Sequence, residues 1–196
     1  MLPSLSRPFS APQRRVPRVL GAIAALVLAV CTAALADVIP LRSSELRIEE
    51  GEVLLSAQFD VSLTPALEAA LQKGIPLYFT VDFELTRPRW YWVDEKIAQW
   101  TVTYRVSYAD LTRQYRVASG PLSQPFDSLD DVLRFVGRVS SRTVAQAGSL
   151  AKDARYDAAL RMRLDVSQLP KPFQLNALAS HEWQLASDWH RWSFSP

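Results

Sequence analysis

The segment "IPLYFTVDFELT", residues Ile75–Thr86, decides the fold because its apolar and polar side chains alternate without interruption. A period of two is typical of a β-strand that buries one face and turns the other toward polar surroundings. The core-facing set would be Leu77, Phe79, Val81, Phe83 and Leu85, and the opposite set Tyr78, Thr80, Asp82, Glu84 and Thr86.

A second alternating segment, "AQWTVTYRVSY" (Ala98–Tyr108), predicts a strand that pairs with the first one as a hairpin. A turn centred on Asp94-Glu95 would place Leu85 opposite Tyr104 and Glu84 opposite Arg105. A slip by one residue would set apolar against polar side chains along both strands. We therefore expect this register, with a charge pair between Glu84 and Arg105 on the polar face.

The rest of the chain predicts more strands and only two helices. Thr64, Pro65 and Gly74 mark the ends of a short helix, and the capping-box spacing of Ser128 and Asp131 begins an amphipathic one. Strand patterns cover Glu52–Leu63, Leu111–Val117, Tyr156–Val166 and part of the tail, whereas the prolines of "LPKPF" (Leu169–Phe173) interrupt the pattern. The expected fold is mainly β, an antiparallel β-sandwich-like sheet with two short amphipathic helices; the alternative is α+β.

The first 36 residues have the pattern of an export signal. Four arginines precede the apolar run Val19–Ala36, and no acidic residue occurs before the run ends. The run ends in an A-x-A cleavage site at Ala36. Residues 1–36 are thus predicted to be a signal peptide, or else an uncleaved membrane anchor, since 18 apolar residues can just span a bilayer. The protein would be periplasmic, or anchored in the inner membrane and facing the periplasm, with residues 37–196 as a single β-rich domain.

Charge and cysteine content exclude several classes of function. Residues 37–196 carry 18 basic and 20 acidic side chains, so they offer no excess positive charge to nucleic acid. The only cysteine, Cys31, lies in the leader, so disulfide chemistry is not expected after cleavage. With two histidines and no cysteine pair, a metal site has no support, and no Gly-rich loop suggests a nucleotide cofactor. We expect neither a metal nor a cofactor.

The stretch "RPRWYWVDEK" (Arg87–Lys96) is the most unusual part of the chain, since three aromatics stand in a row between arginines and an acidic turn. The favoured interpretation is core or second-layer packing, which a bulge at Pro88 would permit. The alternative is a contact surface, because Trp and Arg dominate interface energetics. The candidate binding residues are Arg87, Arg89, Trp90 and Trp92, with Glu84 and Arg105 beside them.

The motifs "GIPLYFTVDFEL", "RPRWYWVDEK", "YADLTRQYRV", "SLDDVL" and "LDVSQLPKPFQ" together resemble the bacterial family called domain of unknown function 4390. The resemblance covers roughly residues 41–192. It implies an exported proteobacterial protein with no assigned activity and no catalytic residues to transfer. It also implies genes that neighbour those of a nitrogen-regulation-type membrane sensor kinase, and hence an envelope partner for that sensor.

Three functions remain open from the sequence. The first is a non-enzymatic binding or adaptor module whose partner would be an inner-membrane or envelope protein. The module itself would contact the membrane only through its N-terminal segment, if that segment is not cleaved. The second is a carbohydrate- or peptidoglycan-binding domain, whose aromatic rings would have to be nearly coplanar beside a polar groove. The third, least favoured, is a hydrolase that uses Asp82 and Glu84 as acid and base.

Overall fold

The computed structural model of the protein describes residues 39–196. This part of the chain forms nine strands and three helices. The strands are β1 (Leu41–Glu49), β2 (Glu52–Phe59), β3 (Leu77–Arg87), β4 (Glu95–Ala109), β5 (Gln114–Ser119), β6 (Leu122–Phe126), β7 (Arg138–Gln146), β8 (Tyr156–Leu164) and β9 (His190–Phe194). The helices are α1 (Pro65–Gln72), α2 (Leu129–Val136) and α3 (Lys171–Ala179). The predicted leader and its cleavage site at Ala36 lie outside the described residues.

The larger sheet has six antiparallel strands in the order β6-β5-β4-β3-β8-β9. Strand β3 is central, and the five side chains predicted to face the core are all fully buried. Neighbouring strands continue this apolar surface, since Phe83 lies opposite Trp100 on one side and Leu160 on the other. The alternation in "IPLYFTVDFELT" therefore predicted both the strand and its buried face correctly.

The smaller sheet has three antiparallel strands in the order β1-β2-β7, and it supplies the other half of the core. Strand β2 alternates as its sequence indicates, with Val53, Leu55, Ala57 and Phe59 buried. These side chains and those of β3 belong to one continuous apolar cluster. The prediction of a mainly β protein with antiparallel, sandwich-like sheets and short helices is confirmed.

The two predicted helices begin at the expected residues. The Thr64 hydroxyl accepts a hydrogen bond from the Leu67 N–H, and the Ser128 hydroxyl accepts one from the Asp131 N–H. Each cap satisfies an N–H group that has no partner within its helix. Burial of Leu67 and Leu71 on α1, and of Leu133 on α2, attaches both helices to the core.

The number of helices was underestimated, because α3 begins within the proline-containing segment that interrupts the strand pattern. Proline is tolerated in the first turn of a helix, where the missing N–H would be unpaired anyway. The carbonyl of Pro170 accepts hydrogen bonds from the N–H groups of Phe173 and Gln174. The Phe173 ring then packs on Trp183, with the two ring centroids 5.8 Å apart.

The predicted register of the central hairpin is wrong by six residues. Leu85 lies opposite Ala98 rather than Tyr104, and the pairing shifts once more between Leu85 and Thr86. An even displacement leaves every side chain on its predicted face, so the buried set is correct although its partners are not. The reason is the turn: it spans residues 88–94, beginning at Pro88, instead of being centred on Asp94-Glu95.

A second boundary also differs, because β5 begins at Gln114 rather than Leu111. Residues 110–113 form the turn between β4 and β5, and Leu111 is fully exposed there. Arg113 adopts a positive φ of 53°, which ends the turn before the strand begins.

Replacing Gly137 by alanine should destabilise the fold by about 1–3 kcal/mol, the usual range for overpacking. A Cβ atom at this position would lie 2.6 Å from the Phe59 carbonyl oxygen and 3.1 Å from that of Leu133. The Phe59 N–H donates to the Gly137 carbonyl at 2.7 Å, so the clash falls where α2 is tied to β2. Urea unfolding measures the change in free energy.

The matched control is Gly148→Ala, since no heavy atom lies within 4 Å of a Cβ built there. An equal loss of stability in both variants would show that the close contact at Gly137 is not the cause.

Candidate functional site

The turn between β3 and β4 carries the aromatic stretch, so these rings lie at the tip of the central hairpin. We call residues 90–93 the aromatic tip. Trp90 is 94% exposed, Tyr91 66%, Trp92 74% and Val93 78%. The interpretation that Trp90 and Trp92 pack in the core is therefore wrong, because the turn that contains them projects beyond the paired strands.

Two arginines and two acidic side chains hold the base of this turn. Arg87 lies opposite Glu95 as the last pair of the hairpin, and the guanidinium groups of both Arg87 and Arg89 form ion pairs with the Glu95 carboxylate. The Arg89–Glu95 distance is 2.6 Å, and the Arg89 backbone N–H donates to Asp94 Oδ1 at 3.3 Å. We call this arrangement the Glu95 clamp.

The clamp affects the ionisation of its central carboxylate. Hydrogen bonds from Arg89, and then from Arg87, lower the pKa of Glu95 below its ordinary value, although partial desolvation opposes them. The clamp is thus ionised at neutral pH. Because Glu95 and Asp94 together balance the charges of Arg87 and Arg89, the tip presents apolar rings above a base that is close to charge balance.

Within the tip, adjacent rings meet edge to face. The centroids of Trp90 and Tyr91 are 5.1 Å apart, with an angle of 73° between the ring planes. This is a favourable geometry for an aromatic pair. These two rings therefore do not form one flat platform.

The structure brings together four of the six candidate binding residues and separates the other two. Arg87, Arg89, Trp90 and Trp92 belong to the turn and its base. Glu84 lies further along β3, opposite Gln99, and pairs with Lys96 at 3.4 Å. The predicted Glu84–Arg105 pair is wrong, since Arg105 lies opposite Tyr78, six positions or about 20 Å away along the strand.

The sequence suggested Asp82 as an acid–base partner of Glu84. In the structure, the Asp82 carboxylate accepts hydrogen bonds from two arginines on the outer face of the large sheet. Arg161 and Arg163 on β8 each approach Asp82 Oδ2 at 3.2 Å, and the Thr101 hydroxyl donates to Oδ1 at 3.2 Å. The Arg161 guanidinium also stacks on Trp189, 4.5 Å from the ring centroid. This carboxylate connects β3, β4 and β8.

The sequence did not identify two further features. Tyr91 and Val93 belong to the tip but were not among the candidate binding residues, because the turn was expected at Asp94-Glu95. Arg142 on β7 stacks over Trp100 on β4, with its Cζ atom 5.5 Å from the ring centroid. No alternating pattern marks β7, so nothing in the sequence predicted this contact between the sheets.

Within residues 39–196, no group of three or more His, Cys, Asp or Glu side chains is placed to hold a metal ion. Nor does this range contain a helix of the length and hydrophobicity needed to cross a membrane.

The fold and the tip define a class of protein: a small two-sheet antiparallel β domain with an exposed aromatic hairpin turn. The chain belongs to the family described as Domain of unknown function (DUF4390), whose model matches residues 36–193. This confirms the family indicated by the sequence motifs. No curated protein and no solved structure matches the chain.

Replacing Glu95 by glutamine should loosen the aromatic tip without unfolding the domain. The amide keeps the size of the side chain but removes the charge that Arg87 and Arg89 share. Hydrogen–deuterium exchange of residues 89–94, corrected for intrinsic rates, should become faster while β3 and β8 stay protected. Glu68→Gln on α1 is the control, and unchanged exchange in the Glu95 variant would contradict the clamp.

Acid should have the same effect on the native protein. The pKa of Glu95 is lowered in the folded state, so the clamp contributes fully above the ordinary glutamate pKa of about 4.3. Its contribution is lost as the pH falls through the lowered value. Corrected exchange at the tip should therefore accelerate only below the ordinary glutamate pKa of about 4.3, and that acceleration should be absent in Glu95→Gln.

Proposed function

We propose that this protein is an exported, non-catalytic binding module that docks onto a membrane protein of the cell envelope through the aromatic tip. One observation carries the proposal. Four consecutive apolar or aromatic side chains, Trp90 to Val93, are each at least 66% exposed on a turn whose base is fixed by ion pairs.

Leaving these apolar side chains in water costs free energy that packing within the domain does not offset. Aromatic side chains bury large areas when they bind, and an exposed apolar cluster is a mark of an interaction site. Trp and Tyr are enriched among the residues that contribute most to binding energy. The tip is therefore suited to insertion into an apolar pocket on another molecule.

The Glu95 clamp supports this use of the tip. An interface loses less free energy to ordering when its anchoring residues are already held in place. The clamp restrains the turn from both strands, because Arg87 belongs to β3 and Glu95 to β4. Together with Asp94, Glu95 balances the charges of Arg87 and Arg89, so we expect binding to depend weakly on salt and the partner's pocket to be apolar rather than acidic.

Export and the kind of partner are inferred from the sequence. The basic start, the apolar run Val19–Ala36 and the A-x-A site support transfer across the inner membrane, with the mature domain in the periplasm or tethered to the membrane. The sensor kinase implied by the family resemblance is the first partner to test.

The alternative functions have less support. For a sugar-binding platform, the polar side chains expected beside the rings have other positions, since Arg105 lies opposite Tyr78 and Glu84 pairs with Lys96. For a hydrolase, Asp82 and Glu84 take part in ion pairs with Arg161, Arg163 and Lys96, which gives both carboxylates structural partners.

Substituting both Trp90 and Trp92 by alanine should leave the fold intact and weaken partner binding by at least about 30-fold, the effect of losing one strong interface anchor. Because both side chains are exposed, the free energy of unfolding should change by less than about 0.5 kcal/mol. Circular dichroism and urea unfolding check the fold.

Binding is tested with a photo-crosslinking amino acid at position 92, irradiated in the native envelope. The matched control places the same probe at Leu111, which is fully exposed in the β4–β5 turn at the opposite end of β4. We expect one integral membrane protein to be crosslinked from position 92 only, and excess native protein, but not the double variant, to compete. Equal adducts from both positions, or adducts with lipid alone, would refute docking onto a membrane protein.

A further inference from the structure

A cleft of about 740 Å³ opens between the two sheets at their β6 and β7 edges. Its floor is the inner face of β4, its rim is the β5–β6 turn, and its far wall is β7. Inward side chains are fully buried on β3, but Trp100, Val102 and Tyr104 on β4 are only half-buried. The core is thus left open toward this edge, over a volume typical of small-molecule sites.

A β-bulge turns a charged side chain into this cleft. Ala57 on β2 pairs with Val139 and Leu55 pairs with Arg142, so β7 uses one extra residue over this interval. Ser141 has a φ of 41°, and its N–H donates to the Ser56 hydroxyl at 3.2 Å. The insertion places Arg142 on the same side as buried Val139, whereas regular pairing would turn it outward.

The guanidinium of Arg142 therefore lies over an aromatic floor. Its Cζ atom is 5.5 Å from the Trp100 ring centroid, a cation–π distance. Next to it, Tyr104 meets Phe135 edge to face at 6.2 Å. Burial raises the pKa of Tyr104, with Arg142 opposing the shift, so the phenol is a neutral hydrogen-bond donor at this floor.

The charge of the cleft is positive. Its lining contains Arg138 and Arg142 but no acidic residue. Among residues 39–196, neither arginine forms an ion pair with a carboxylate, and the Arg138 Nε–H donates instead to the Gln58 amide oxygen at 3.3 Å. Both arginines are exposed at the mouth of the cleft, where an anion bound beside Arg142 would accept charge-assisted hydrogen bonds from its guanidinium.

The edge of the large sheet is not built to accept another strand. Pro125 lies within β6, and proline cannot donate a hydrogen bond to an added strand. The volume, the aromatic floor and the Arg142 guanidinium above it fit a small molecule better than an extended peptide.

From these observations we infer that the cleft binds a single-chain anionic amphiphile. Its acyl chain would lie on Trp100, Tyr104 and Phe135, and its anionic head would accept hydrogen bonds from the Arg142 guanidinium. A carboxylate or a phosphate head satisfies this chemistry equally. The site is separate from the aromatic tip and does not depend on the function proposed for it.

Isothermal titration calorimetry tests the inference, with dodecanoate, dodecyl phosphate and dodecanol each kept below the concentration at which it aggregates. We expect native protein to bind at least one of the two anions, and to bind dodecanol more weakly. Replacing Arg142 by glutamine should weaken anion binding about 10- to 100-fold, as expected for a lost charge-assisted hydrogen bond. The same substitution should leave dodecanol binding unchanged. Preference for one anion would identify the head group as the carboxylate of a free fatty acid or the phosphate of a single-chain phospholipid.

The matched control is Arg116→Gln, because Arg116 is exposed on β5 with its neighbour Val117 buried on the opposite face. This variant should bind like the native protein, and so should Trp90→Ala/Trp92→Ala, which separates this site from the proposed function of the tip. Absence of binding to all three ligands, or equal weakening in the Arg142 and Arg116 variants, would overturn the inference. Arg142 would then serve only as an inward charge that prevents strand addition at β7.

Discussion

The structure depends on the complete burial of one face of β3. Its five inward side chains are covered by the smaller sheet and flanked by β4 and β8 along the larger one. Moving β3 by a single residue relative to its neighbours would bury Asp82 and Glu84 and expose Phe79 and Phe83. The cost of burying those carboxylates in an apolar core fixes which face of the strand points inward. The outer face can consequently hold the ionic cluster of Asp82, Arg161 and Arg163.

This constraint explains why the strand faces were predictable and the hairpin register was not. A period of two distinguishes inside from outside, but every even displacement of β4 along β3 satisfies it equally. The turn decides which of these displacements occurs. Pro88 follows the Arg87–Glu95 pair, and the pairing of β3 with β4 shifts by one residue between Leu85 and Thr86. The rings of Trp90 and Trp92 were assigned to core or second-layer packing because a turn centred on Asp94-Glu95 would leave both residues within the paired strand. Pairing Arg87 with Glu95 puts them at the tip.

The two proposed binding surfaces lie where regular pairing stops. The aromatic tip is formed by the turn that ends the longest hairpin, and Arg142 faces inward only because β7 contains a bulge near Ser141. Bulges and turns have weak sequence signals, since Ser-Ser-Arg-Thr in β7 could equally belong to a polar edge strand or a loop. The regular scaffold was thus readable from periodicity, but β1, β6 and β7, which have no clear apolar alternation, were missed. The positions of Tyr91, Val93 and Arg142 required three-dimensional pairing.

The pairing of β2 with β7 also governs the order in which this molecule can fold. Residues 52–59 find their second partner only in residues 138–146, after β3 to β6 and α2 have intervened. Closing a loop of this length costs conformational entropy before the contacts can compensate it, and topologies dominated by distant contacts fold slowly. The β1–β2 hairpin is synthesised first, yet its apolar face stays uncovered until the later strands arrive. The large sheet also waits for a distant partner, because β3 pairs with β8 only at residues 156–164. Neither sheet can therefore be completed until most of the domain has been synthesised.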